Sequence, residues 1–574
     1  MFQQLFCIAL AWSPANFSTT DIALHVRTLS DPKLEGRMTM TKGGDLAATY
    51  IAAHFRRIGL HEGPNKGYFH TWEFSHGFRP KEDSSLTVFL PGGKTQVLRP
   101  GEDFVPLPGT AEKPVSGDIV YVGFGLEDAS WNDYANVDVR GKIVLMLRGV
   151  PEGQRQASHG AKAALAASKG AIGVIFAGPT APGRAELPPL NRAAGVRADT
   201  GVAAAAVTGD VFRSITGLTY EAARAQSPGS GKVTGASARI AGGVEENSGL
   251  AKNVIGYLPG RDSRLRNEYI IVGAHYDHLG HGEVGSMSGS GDIHPGADDN
   301  ASGTAAVMML AEHFAKTKSN RRTMIFQLYS GEELGLLGSR AWTNFNTDKL
   351  ARTSAMINLD MVGRLRDGKL SVFGTSSAEE WPGLLGKVNV PNVQLVTAPN
   401  VRADSDQAAF AAQKVPVLFF HTGLHPEYHT ERDRFETVNV QGIAQVCEVV
   451  AQVLKGVDAL SRKLEFSEKT VMGNLPGDRR ATGDSQRRVR IGFIPDMAAG
   501  GPGVRITGAS PDSPAAKAGF KEGDRILSFD GKKIESLEDL QAAMVAARVG
   551  QRVKVRYLRD DREHEVELTV EARA

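Results

Sequence analysis

The chain has 574 residues, of which 41% are hydrophobic and 23% charged, and a formal charge of +2. Its length holds roughly three or four domains of ordinary size, and its near-zero charge gives no case for nucleic acid or a strongly acidic surface as partner. The two cysteines, Cys7 and Cys447, exclude a disulfide framework.

In chain order, the apolar run Leu5 to Trp12, followed by the small residues Ser13 and Ala15, has the form of a short export-signal core, although Met1 to Gln4 carry no positive charge. A signal segment at 1–20 predicts a periplasmic or secreted protein. No other stretch approaches the ~20 apolar residues of a membrane span. Residues 21–60 read as helical, with Leu46, Tyr50, Ile51, Ala53 and Phe55 toward one side and Gly59 as a stop. From Leu86 the chain turns to short β-rich runs separated by Gly and Pro, at 118–125, 142–147 and 172–177, with an Ala-rich helix at 161–169; residues 100–245 are predicted to form an inserted β-rich domain.

From Asn253 to Leu454 apolar strands alternate with helices, which predicts an α/β domain with a mostly parallel sheet flanked by helices, assembled from 21–99 and 246–460. The predicted strands are 269–272, 324–329, 354–357 and 415–420. A helix from about Ala301 carries the core stripe Val307, Leu310, Ala311 and Phe314. A polar stretch at 461–488, with Gly473, Pro476 and Gly477, reads as a linker. A β-rich module at 489–574 follows, with strands at 503–506, 525–529, 552–557 and 564–570 and a helix at 537–547.

The strands of the α/β part lead into polar motifs. His275 and Asp277 end Gly273-Ala-His-Tyr-Asp277, Glu332 and Glu333 follow the Ser330-Gly331 turn, Asp360 closes Asn358-Leu-Asp360, and His429 lies in Tyr428-His-Thr430; Asp299 sits in Gly296-Ala-Asp-Asp-Asn300 ahead of the helix. Ligands of open α/β sheets bind beyond the carboxyl ends of strands, so these motifs are expected to converge in one crevice. Amide hydrolysis near neutral pH needs an activated water, a stabilised oxyanion and a proton for the leaving amine. Two Zn²⁺ ions supply the first two and a carboxylate shuttles the proton. His275, Asp299, Glu333, Asp360 and His429 form a suitable N/O ligand set. Asp277 suits an acceptor that orients the imidazole, and Glu332, beside a ligand, suits the general base.

Taken singly, these residues have ordinary readings too: His275 as a hydrogen-bonded strand-end histidine, Asp360 as a turn cap, and Asp298 as a rival of Asp299. His278, His281, His294, His421 and His425 are expected not to be ligands, because better-spaced residues fill those positions; His425 remains a candidate for the substrate pocket.

Together, His275-Tyr-Asp277, Gly296-Ala-Asp-Asp-Asn-Ala-Ser-Gly303, Gly331-Glu-Glu333, Asn358-Leu-Asp360 and Tyr428-His-Thr430 resemble, in this order, the di-zinc aminopeptidases of the family that also includes glutamate carboxypeptidase and the transferrin receptor. The resemblance implies a zinc-peptidase fold of the phosphorylase/hydrolase-like kind. It makes Asp299 the bridge between two Zn²⁺ ions, followed by a cis peptide to Asn300. His275 and Asp360 complete one metal, Glu333 and His429 the other; Glu332 is base and acid, and Tyr428 a donor to the tetrahedral intermediate. Ser405-Asp-Gln407 departs from the Ser-Asp-His of many relatives, which bears on substrate contacts. The implied activity is removal of N-terminal residues from peptides; a carboxypeptidase or dipeptidase on the same centre, and a non-enzymatic receptor-like binding protein, are the alternatives.

Residues 118–125, 139–144 and 169–174 resemble a protease-associated domain, which implies an insert that shapes access to the cleft. Ser513 to Gly519 and Lys521 to Gly531 resemble a PDZ domain, with Arg490-Ile-Gly-Phe493 as candidate loop for a peptide C-terminus.

Overall fold

The computed structural model describes residues 17–63, 67–108, 113–151, 154, 157–179, 186–188, 190, 202–226, 228–282, 284–288, 291–472, 489–496, 503–510, 513–535 and 537–572. The signal core and the linker from 473 onward lie outside the described residues. The chain divides into two compact units, Met1–Trp72 with Leu250–Ala574, and Glu73–Gly249.

The first unit is built on an eight-stranded sheet. Its strands are β1 (Phe69–Pro80), β2 (Val244–Leu258), β3 (Tyr269–His275), β4 (Thr323–Tyr329), β5 (Thr353–Leu359), β6 (Lys369–Phe373), β7 (Gln394–Ala398) and β8 (Val417–His421), in the order β1-β2-β4-β3-β5-β8-β6-β7. β3 runs parallel to β4 and β5, and β5 parallel to β8, whereas β2 is antiparallel to β4 and β6 to β8. The sheet is therefore mixed, and the expected parallel arrangement describes its centre. β5 is buried along its whole length, as a strand covered on both faces must be. β6 and β7 escaped sequence reading because polar residues such as Lys369, Ser371 and Thr397 break their apolar runs.

The expected helical stretch 21–60 is two helices, α1 (Thr19–Leu29) and α2 (Lys42–Arg57). Asp31-Pro32 ends the first, Glu35, Gly36 and Arg37 take positive φ, and the Thr41 side chain caps the second through the Gly44 N–H. The buried face of α2 is Ala47, Ala48, Ile51, Ala52 and Phe55; Leu46 and Ala53, assigned to that face from sequence, are exposed. The helix α3 (Gly303–Thr317) buries Val307, Leu310, Ala311 and Phe314 as expected. It shares one core with β3 and with α4 (Val440–Ala459), the final helix of this domain.

The second unit carries its own eight-stranded sheet, with 115–121, 143–147, 173–177 and 203–207 parallel at its centre. Residues alternate between two cores: Ile119, Leu145 and Ile175 face one, Val120, Val144 and Val174 the other. The unit begins before residue 100, because Ser85–Phe89 pairs with Lys232–Ala241 inside this sheet.

Residues 489–572, within the first unit, form a small sheet ordered Phe493–Pro495, Val504–Ala509, Arg525–Phe529, Arg552–Arg559, Arg562–Thr569, with the helix Leu537–Ala546. Ile506, Ile526, Phe529, Val553 and Val555 are at its core.

Candidate metal centre

The parallel centre of the sheet delivers its side chains at one end. His275 is the last residue of β3, Asp360 follows β5 directly, and Glu332 and Glu333 follow β4 after Ser330-Gly331. Gly331 takes φ +76°, a conformation that L side chains rarely adopt, so the turn that aims the two glutamates needs glycine. Asp299 lies in the irregular turn Ala297–Ser302 ahead of α3, and its peptide to Asn300 is cis. At Gly296 (φ +55°) a Cβ would stand 2.1 Å from the Asp299 carbonyl oxygen, so the close approach of this turn also excludes other residues.

Two groups of donors share Asp299. Its Oδ1 lies 3.3 Å from His275 Nε2, which is also 3.3 Å from Asp360 Oδ1. Its Oδ2 lies 3.2 Å from His429 Nε2, which is 3.1 Å from Glu333 Oε2. Glu332 Oε2 stands 3.9 Å from His275 Nε2, near the first group without bonding to it. Asp298, the rival in sequence, turns the other way: its Oδ1 accepts from the Gly363 N–H and the Ser302 hydroxyl, and its Oδ2 faces His425 Nε2 at 3.2 Å.

His278 is nearer the centre than expected. Its Nδ1 is 2.7 Å from Glu333 Oε1 and 3.9 Å from Asp299 Oδ2, and with these two residues it forms a group able to hold a metal. It lies three residues beyond His275, just after β3 ends. Asp277 is buried beside His275, but the closest acceptor for His275 Nδ1 is the Asp277 carbonyl oxygen at 3.1 Å, with the carboxylate at 3.7 Å. That carboxylate accepts from the Glu332 N–H and the Thr39 hydroxyl, so it also fixes the glutamate turn. Ser405 donates to Asp360 Oδ2 at 2.8 Å and Gln407 accepts from Asn358, so the motif assigned to substrate contacts sits behind a candidate ligand.

Residues distant in sequence brace this arrangement. The buried Asp433 accepts the N–H groups of Asp298 and Asp299 at 3.0 Å. Arg37, fully buried, donates to the carbonyls of Leu29, Tyr276, Pro295 and Gly296. Neither announces itself in a local motif; each is recognisable only from its tertiary partners.

The electrostatics call for positive charge. Burial drives the carboxyl of Asp299 up, but hydrogen bonds to His275 and His429 outweigh it and hold the group well below the usual range. Burial likewise opposes ionisation of Glu333, yet His429 above all brings it to about 2, and the same pairing lifts His429 to about 10 against its own burial. The carboxylates are thus held ionised by the imidazoles beside them, and the N/O donor set is of the kind that Zn²⁺ takes. Glu332 is different: burial, opposed by His275 and reinforced by Glu333, raises it well above the carboxylate range. The Tyr428 ring stacks on His429 with centroids 3.8 Å apart, and burial keeps its hydroxyl protonated.

Residues 253–454 match the sequence model of Peptidase family M28. Residues 115–215 match the PA domain and 485–570 the PDZ domain. A probable leucine aminopeptidase of Arthroderma otae is 28% identical over 214 residues, 34% of this chain and 55% of that protein. Aminopeptidase YwaD of Bacillus subtilis is 25% identical over 236 residues, 38% of this chain and 47% of that one. The chain spans about half the length of these curated relatives. Among solved structures, an aminopeptidase from Aneurinibacillus sp. strain AM-1 is 22% identical with a TM-score of 0.45, covering 80% of this chain and 98% of that one.

Proposed function

We propose that the chain is a zinc-dependent exopeptidase that removes N-terminal residues from peptides, with two Zn²⁺ ions held by His275, Asp299, Glu333, Asp360 and His429. The observation that carries this reading is the division of Asp299, one oxygen facing His275 and the other His429. The match to Peptidase family M28 and the aminopeptidase relatives support the same activity. His429 lies at nearly equal distance from Asp299 and Glu333, as a ligand beside two others does, whereas His278 lies close to Glu333 alone, as its hydrogen-bond partner does.

Zinc in this site supplies a polarised water and a Lewis acid for the scissile carbonyl. Glu332 takes the proton from the attacking water on its carboxylate and returns it to the leaving amine, a role suited to a carboxyl whose pKa burial has raised. Tyr428 O–H donates to the carbonyl oxygen as charge builds there. Asp277 holds the Glu332 turn, and Ser405 holds Asp360, so the reacting groups are oriented before substrate arrives. The signal-like run Leu5 to Trp12 supports action in the periplasm or outside the cell, and the Arg490 to Phe493 loop a role in binding a peptide C-terminus.

A matched pair of peptides, one blocked at its C-terminus and the other at its N-terminus, tests the reading. Chelator-sensitive cleavage of only the C-blocked peptide is expected. Cleavage of only the N-blocked one overturns it in favour of a carboxypeptidase.

A further inference from the structure

Of the candidate ligands that follow strands, His429 is the farthest out: β8 ends at His421, and His429 itself takes φ +56°, a conformation costly for a residue with a side chain. The segment around it is fastened at both ends to one residue. At one end His425 Nε2 stands 3.2 Å from Asp298 Oδ2; at the other, Asp433 accepts the Asp298 N–H on both carboxylate oxygens and the Asp299 N–H on one, each at 3.0 Å. Ion pairs close the circuit. His425 Nδ1 lies 3.2 Å from Glu427 Oε2, and the Arg364 guanidinium is 3.4 Å from the same oxygen and 3.7 Å from Asp433 Oδ1. Asp298, His425 and Asp433 are fully buried, where charges are screened far less than at the surface. Burial opposes a charge on His425, but Asp298 and Glu427 outweigh it and lift the imidazole to about 9, so it is cationic at neutral pH.

We propose that His425 and Arg364 are positioning residues of the metal centre: through Asp298 and Asp433 they fix His429 against Asp299, and so set the affinity for the ion that those two share with Glu333. The inference rests on the two-zinc reading of the site. His425 also sorts two adjacent carboxylates, because it engages Asp298 and leaves Asp299 to face the imidazoles of His275 and His429. The other ion depends less on the circuit. Two of its ligands, His275 and Asp360, stand at the ends of β3 and β5, and the Ser405 hydroxyl holds Asp360 directly at 2.8 Å. Partners that act through a ligand in this way typically carry ~10–100-fold in metal affinity.

Full-length protein, freed of metal, is titrated with zinc in competition with a chromophoric chelator, which reads the two affinities separately from activity. Wild type is expected to take up two ions per chain. His425→Gln should weaken one of them by ~10–100-fold and leave the other unchanged. Arg364→Met should do the same, and Arg364→Lys, which keeps the charge, should recover most of the lost affinity. If His425→Gln fails to fold by circular dichroism, the two Arg364 variants decide. Wild-type affinities in His425→Gln, an equal weakening of both ions, or an Arg364→Lys as defective as Arg364→Met overturns the proposal. A wild type that takes up fewer than two ions overturns the two-zinc reading itself, and the positioning role with it.

Discussion

Glu332 and Glu333 are neighbours with the same side chain, yet the fold separates their chemistry. Glu333 is held by His278 at 2.7 Å and His429 at 3.1 Å, while Glu332 makes no bond that short to any imidazole and stands 3.9 Å from His275. Replacing Glu332 by Gln should leave metal content, read by elemental analysis, unchanged and lower kcat by ~10²-fold or more, through loss of general-base catalysis. Turnover equal to wild type would remove Glu332 from the reaction. At this scale the candidate site was legible where a local motif names its residue: His275, Asp299, Glu333, Asp360 and His429 were all singled out in sequence and all meet in space. His278 was set aside because sequence spacing cannot show that its ring reaches Glu333.

Elements position these residues, and the segment between α1 and α2 does so from far away. Arg37 joins carbonyls of Leu29, Tyr276, Pro295 and Gly296, linking the end of α1 to the residue after His275 and to the turn before Asp299. Burial lowers its pKa to about 10, with Asp299 and Asp277 opposing, so it remains charged at neutral pH. Arg37→Met would leave the buried carbonyls of Leu29, Tyr276 and Pro295 without that donor and is expected to destabilise the first unit by about 3 kcal/mol or more. A urea midpoint unchanged from wild type would deny Arg37 that bracing role. Sequence reading treated this segment as continuous helix. The helical pattern on either side was real, but Pro32, Gly36 and three positive φ angles answer to partners roughly 240 residues away, which periodicity does not register.

Across the whole molecule, burial holds several histidines neutral, and each of them makes an acid-sensitive contribution to stability. Burial, with His54 and Arg57 adding to it, lowers His25 to about 4; burial lowers His159 and His313 to about 4 as well. Between pH 6.5 and 4 the unfolded chain gains protons that these native imidazoles do not, so their contribution to stability falls as pH drops through that window and levels off below it, against the opposite contribution of Asp277 and Asp406, whose carboxyls burial raises to about 6 and about 7. His25 alone is worth about 3 kcal/mol across it. Its ring contacts the Tyr50 hydroxyl at 2.7 Å, and His25→Gln should flatten the pH dependence of the urea midpoint. A slope identical to wild type would assign the acid lability elsewhere. By itself the sequence determined the β-strand and helix alternation around the site, the motifs that carry His275, Asp299, Glu333, Asp360 and His429, and the two flanking modules, because each is written in short-range pattern or spacing. Tertiary structure alone decided the mixed sheet, the bracing by Arg37 and Asp433, the place of His278, and the pairing of His425 with Asp298. Those depend on which distant segments bury one another, and burial is a property of the assembled chain.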